Sequence, residues 1–348
     1  MRGLTAVMSV ALIVSPKIWS QGQTQSSGTD VQLRGISAIS DKVAWTSGAK
    51  GTVLRTIDGG KKWEKVNVPN AEALDFRDIQ AFDQNTAFVL SIGPGEQSRI
   101  YKTADGGKSW QIQFTNKDPK AFYDCFAFWD NKHGIAVSDS VDGKFPLIST
   151  ADGETWAPEN VKKMPAALPN EGAFAASGTC IATFGKKDVW FGTGGPAARM
   201  FHSSDRGENW TVAETPIASG APSQGVFSVV FWTDKDGMAV GGDYKQPAHA
   251  DKTCAMTHDG GQTWKLSSHQ PLGYRSAVAL VAIMGPVLVA AGTNGADEFH
   301  SHGEQWQPLD NRDYNAISFA SPQAGWAVGP AGLIVRFPAL PAIKLSAH

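Results

Sequence analysis

Short runs of apolar, β-branched and aromatic residues follow one another from residue 31 to residue 337, each bounded by Gly, Asp or Pro. The first four, 31–39, 43–48, 52–57 and 62–66, read as strands because they are too short and too rich in β-formers for helices. Comparable leading runs begin near Asp75, Ala121, Ala173, Gly225, Arg275 and Arg312, which with the first makes seven. Residues 31–337 shared among seven units give about 44 residues each, enough for four strands.

A second pattern fixes the phase of the repeat. Thr103-Ala104-Asp105-Gly106-Gly107-Lys108-Ser109-Trp110 recurs as Ser/Thr-x-Asp-x-Gly-x-x-Trp at 56–63, 203–210 and 257–264, one residue shorter at 150–156, and degenerate at 299–306. Successive tryptophans are 47, 46, 54, 54 and 42 residues apart. Asp followed by Gly between two strands is a turn signal: the carboxylate accepts backbone N–H groups ahead of it, and Gly supplies positive φ. Asp58, Asp105, Asp152, Asp205 and Asp259 are therefore expected to be structural, with each Trp wedged between neighbouring sheets. The expected fold is all-β, a seven-bladed β-propeller with no second domain.

These boxes resemble those of the Asp-box, or bacterial neuraminidase repeat, β-propellers over residues 31–337. Within them the chain looks most like the photosystem II stability/assembly factor group and its bacterial relatives outside photosynthesis. For fold the resemblance is specific. For function it is weak, because the same box occurs in sialidases, other glycoside hydrolases, sorting receptors and assembly factors. Sialidases carry an Arg-Ile-Pro ahead of their boxes; here Arg34 is followed by Gly35 and Ile36. For the assembly factors the resemblance implies a non-enzymatic propeller whose arginine-rich patch grips a membrane-protein precursor. The acidic balance of this chain departs from a dominantly basic surface.

Residues 1–20 have the layout of a secretory signal: Arg2, an apolar run over 4–14, then Ser15-Pro16 and Ser20. The apolar run is too short to span a bilayer, so export to the periplasm or cell exterior is expected, with no integral membrane segment. Residues 21–30 read as a flexible lead-in or a closing strand, and 338–348 as a tail. The last unit stops at Phe337 without a box, so a strand from 21–30 or from 342–345 should complete it; the N-terminal segment is preferred. Without residues 1–20 there are 29 basic and 33 acidic residues, which invites neither nucleic acid nor an anionic membrane. Cys125, Cys180 and Cys254 show no zinc spacing. The first two read as buried small hydrophobes or as a disulfide pair, and spacing does not decide. No phosphate-loop, dinucleotide or nucleophile-elbow motif is present, and no cofactor or metal is expected.

Alternating strand direction puts the boxes on one face, and the second-to-third loops and interblade connections on the other. That second face is where the units diverge: Asp139-Ser140-Val141-Asp142-Gly143-Lys144 and Gly242-Asp243-Tyr244-Lys245-Gln246-Pro247 are inserted, and 157–172 and 214–225 are long. Aligning the leading strands gives one polar position inside apolar runs, held by Arg34, Arg77, Asp124, Ser228, Arg275 and Asn315, with the fourth unit near Gly178-Thr179. These should ring a central channel. The expected mouth comprises Asp124, Asp139, Glu171, Arg199, Asp243, Tyr244, Tyr274 and Arg275, with Arg275 beside Asp124 or Asp243. Arginine pairing lowers carboxyl pKa values and disfavours an acid catalyst, so a monomeric binding or assembly scaffold for a protein or carbohydrate ligand is favoured. The alternative is a glycoside hydrolase or sialidase-like enzyme using acids at the same mouth.

Overall fold

The computed structural model describes residues 22–283, 285–301 and 305–337. The leader 1–20, the tail 338–348 and part of the degenerate box 299–306 lie outside the described residues. Seven antiparallel sheets form seven blades. The first consists of Leu33–Ala38, Ala44–Gly48, Thr52–Thr56 and Glu64–Asn67, innermost strand first. Among the described residues the one helical element is a 3₁₀ turn, Gly95–Gln97, and no helix is long and apolar enough to cross a membrane.

Both faces of each blade pack on a neighbour, which explains why the second strands are apolar at consecutive positions. Ala87–Ile92 is an example: Phe88 and Leu90 face the third blade, while Val89 faces the first. The core accordingly lies in seven interblade seams. In one, Trp45 of the first blade meets Phe76, Val89 and Tyr101 of the second. Each fully buried ring of this kind contributes roughly 1.5–3 kcal/mol. Side-chain staples add to the seams: Ser37 accepts the Ala81 N–H, Asp78 that of Phe126, Ser228 that of Val278 and Ser318 that of Ala38.

The boxes close third to fourth strands. In the second blade Thr103 Oγ1 accepts the Gly107 N–H at 2.9 Å and donates to Asp105, whose Oδ1 accepts the Ser109 N–H at 2.9 Å. The Ser109 hydroxyl and N–H together pull the Asp105 carboxyl down to about 2. The shorter box closes one residue earlier: Thr150 Oγ1 accepts from Gly153, and Asp152 accepts from both Glu154 and Thr155. In the fourth box Arg206 takes the first Gly position at φ 67°, its guanidinium donating to the Lys186 carbonyl and lying over the Trp129 ring.

Ring closure uses the first described strand. Gln23–Gln25 pairs antiparallel with Ile334–Phe337 as the outermost strand of the seventh blade. Gln25 Oε1 accepts the indole N–H of both Trp63 and Trp326, and its Nε2 donates to the Gly59 carbonyl, joining the first blade to the seventh. The other candidate, 342–345, lies outside the described residues.

Two units depart from the sequence expectation. The fifth blade's inner strand starts at Ala221 rather than Gly225, and Gly194–Gly195 pairs with it as a fifth strand. The fourth blade's inner strand starts at Ile181 rather than Ala173. Residues 173–179 make no ladder pairs and instead cross the channel.

Candidate functional site

The bulge is the device that aims side chains into the channel. In the first, second, third and fifth inner strands the ladder skips one residue, leaving Arg34, Arg77, Asp124 and Phe227 opposite no partner. This corrects the aligned ring at two places. In the fifth blade the channel position is Phe227, and Ser228 is the staple beside it. In the sixth it is Ser276, because Arg275 donates its N–H to Gly241 just as Leu33 donates to Gly329 and Tyr314 to Gly292. Arg275 thus occupies a seam position that is apolar in the other blades, and cannot face the channel.

The channel is not open from end to end. Residues 173–179 span it, held at Ala173 by Asp139 Oδ1 (2.9 Å), at the Ala175 carbonyl by Arg77 Nη1 (3.0 Å) and at Ser177 by the Ser276 carbonyl (2.7 Å). Thr179 Oγ1 then meets Ser228 Oγ at 2.7 Å. This plug separates two cavities. Ser177, Gly178 and Thr179 line one of about 360 Å³ toward the box face. Phe174, Ala175 and Ala176 floor the other, a cup of about 370 Å³ on the loop-rich face.

The cup has an aromatic wall and a cationic rim. Phe174 stacks on Phe227 with centroids 3.7 Å apart, and Tyr274 and Tyr244 meet the Phe227 ring edge-on. Opposite stand Arg34 and Arg77, with Asp313 and Asn315. Arg77 pairs with Asp75 at 2.8 Å. Arg34 donates to Asn315 Oδ1 at 3.1 Å, and among the described residues no carboxylate forms an ion pair with it. Burial, and after it the Arg77 charge, lowers the Arg34 guanidinium to about 10. A guanidinium in this state favours an incoming anion.

Of the residues expected at the mouth, Tyr244 and Tyr274 line the cup. Asp124 and Asp139 lie behind the plug: Asp124 faces the backbone N–H groups of Asp139 and Ala175, and its Oδ2 is buried without a hydrogen bond. Burial and the Asp139 charge push Asp124 well above the usual carboxyl range, and burial pushes Asp139 to about 6. Glu171 and Arg199 form a buried bidentate pair at the connection into the fourth blade, with Thr193 Oγ1 donating to Glu171 at 2.6 Å. Asp243 caps its own loop, accepting from the Lys245 N–H and Gln224. Arg275 lies beside neither Asp124 nor Asp243. Its Nε donates to Asp297 at 2.8 Å and its Nη1 to Asn294 and the Tyr274 carbonyl, in a separate groove.

Of the cup residues the mouth expectation left out, polarity within an apolar run marks Arg34, Arg77 and Asn315. Phe174 and Phe227 carry no such mark, since an aromatic residue in a strand reads as core. Among the described residues no group of His, Cys, Asp and Glu could hold a metal ion.

The fold is therefore a seven-bladed β-propeller whose channel is closed by its own fourth blade. No protein-family model matches the chain. It is similar to the photosystem II assembly lipoprotein Ycf48 of Synechococcus sp. (strain CC9902), 25% identical over 223 residues, which is 64% of this chain and 57% of that protein. It is also similar to Ycf48 of Synechococcus sp. (strain JA-2-3B'a(2-13)), 26% identical over 324 residues, 79% of this chain and 87% of that protein. A stretch of 124 residues is 32% identical to the vacuolar protein sorting/targeting protein 10 of Neosartorya fischeri, matching 8% of it. The chain thus spans little more than half of the first relative and a small part of the sorting protein. Among solved structures it is similar to YCF48 from Cyanidioschyzon merolae (TM-score 0.46, 14% identity, 92% of this chain and 99% of that chain). A YCF48 bound to a D1 peptide gives a TM-score of 0.45 at 16% identity, covering 92% and 97%.

Proposed function

We propose that this protein is an exported, non-enzymatic scaffold that holds a protein segment in the cup on its loop-rich face. The observation that carries this reading is Arg34, a half-buried guanidinium without an ion pair at the edge of an aromatic-walled blind cup. A carboxylate attached to an apolar or aromatic body satisfies both halves, and a peptide supplies that pair of groups at a C-terminal residue or at an acidic side chain. The names of the Ycf48 relatives point the same way, to a propeller that attends the assembly of other proteins. Export is supported by the leader-like residues 1–20 and by the buried Cys125–Cys180 disulfide, a bond that persists in oxidising compartments.

A hydrolase is less well supported. Glycoside hydrolysis needs two carboxyls at the substrate, and of the described carboxyls Asp313 alone lines the cup, Asp124 and Asp139 being walled off by the plug.

The test is titration of a labelled hexapeptide, Gly-Ser-Gly-Ser-Ala-Phe, with a free C-terminal carboxylate, against its C-terminal amide and a variant carrying an internal Glu. A glycan array runs in parallel. The expected result is binding of at least one carboxylate peptide that Arg34→Met weakens about tenfold or more without changing the melting temperature. Binding indifferent to Arg34, or turnover of any glycan, sinks the reading.

A further inference from the structure

The plug is an unusual piece of chain. Six inner strands are in place from the channel's loop-rich end, whereas the fourth leaves the ladder for residues 173–179 and rejoins it at Ile181. Between those points the segment is held by other blades: Asp139 Oδ1 accepts the Ala173 N–H, Arg77 donates to the Ala175 carbonyl, the Ser276 carbonyl accepts the Ser177 hydroxyl, and the Val229 N–H donates to the Thr179 carbonyl. Segments held by few backbone ladder bonds are the first to open locally. At the point where the plug rejoins the blade stands Cys180, bonded to Cys125 with Cα atoms 6.2 Å apart. Cys125 in turn follows Asp124, whose carboxyl faces the Ala175 N–H. One covalent bond therefore fixes the returning end of the plug to the strand Tyr123–Phe128, whose Asp124 faces the plug's middle.

Both cysteines are fully buried in the seam between the third and fourth blades, among Val137, Phe191 and Phe201, so an oxidant reaches them before that seam closes.

We propose that the Cys125–Cys180 disulfide is a maturation latch: its formation seats residues 173–179 and thereby builds the cup floor, so the reduced chain is a ring without a client site. The client half of this inference rests on the function proposed above. In the step itself the two thiols lose two electrons and two protons to the disulfide of an exchange catalyst. That catalyst leaves as a dithiol while the Sγ–Sγ bond of the propeller forms. Cys254 sits in the seam between the fifth and sixth blades and takes no part.

Hydrogen exchange on the mature chain tests the latch, with Cys254→Ala as background and Cys125→Ala/Cys180→Ala as the unlatched form. The expected result is exchange at 173–179 faster by about two orders of magnitude in the unlatched form, ladder amides of the other blades staying within a few-fold. The free-carboxylate hexapeptide should then lose about tenfold or more in affinity. Equal protection of 173–179 in both forms overturns the latch, as does a rise spread evenly over all blades. If the double variant does not fold, wild type refolded with and without dithiothreitol makes the same comparison, and a chain that folds only when oxidised replaces the latch with a general staple. An oxidised protein that binds no peptide defeats the client reading, while the exchange pattern still decides the latch.

Discussion

Ser177 of the fourth blade donates its hydroxyl to the carbonyl of Ser276 in the sixth, 2.7 Å away, passing over the fifth blade altogether. Blades in a closed ring ordinarily touch their immediate neighbours, so this bond measures how far the plug reaches. Ser177→Ala should cost about 1 kcal/mol in urea unfolding and raise exchange at 173–179 more than elsewhere. A uniform change across the ring would show that the plug is no separate unit.

Asp139 makes stability depend on pH in a stated direction. Burial raises its carboxyl from near 4 to about 6, so between those values the folded protein keeps a proton that the unfolded chain has lost. Stability therefore falls as pH rises through this window, by up to about 3 kcal/mol. Asp139→Asn keeps an oxygen for the Ala173 N–H and removes the charge. Urea midpoints from pH 4 to 8 should show a flatter profile and higher stability at neutral pH for this variant.

Glu171 and Arg199 stabilise each other away from the cup. Removing one partner leaves the other charge buried, so Glu171→Ala should cost about 3–5 kcal/mol. Peptide affinity of the folded fraction should not move. An affinity loss without destabilisation would return Glu171 to the binding site.

Asp259 tests the box. It accepts from Thr257 Oγ1 and from both the N–H and hydroxyl of Thr263, so Asp259→Ala should lower stability by about 1–2 kcal/mol and leave ligand affinity unchanged. Calorimetry paired with titration separates the two effects.

Gln25→Ala strips two buried indole N–H groups of their acceptor, those of Trp63 and Trp326. A loss of about 2–4 kcal/mol follows from two unmet donors. Intrinsic tryptophan fluorescence during unfolding reports on both rings.

The fold was legible because the repeat states it many times over: turn boxes, tryptophans and apolar runs agree on blade size. The cup was half legible. Arg34 and Arg77 stood out as polar residues in apolar runs, and the inserted loop announced Tyr244. Arg275 misled because it stands one residue before the channel position Ser276, in a seam position that is apolar in the other blades, and an alignment of apolar runs does not fix the register to a single residue. The plug was invisible for a different reason. Ala173-Phe174-Ala175-Ala176 reads as strand, and its departure from the ladder is caused by partners on the second, third and sixth blades, far away in sequence.

The closing strand has a kinetic side. Thr24 pairs with Val335, a contact between residues 311 positions apart. Loop-closure entropy for such a span is about 5 kcal/mol by the logarithmic rule, met late because the last blade must exist before the first strand can join it. Until then the unfinished seventh sheet presents the free edge of Ile334–Phe337, open to strands from other chains. The nascent ring is thus most prone to aggregate just before completion, and protein concentration during refolding should govern yield more steeply than temperature does.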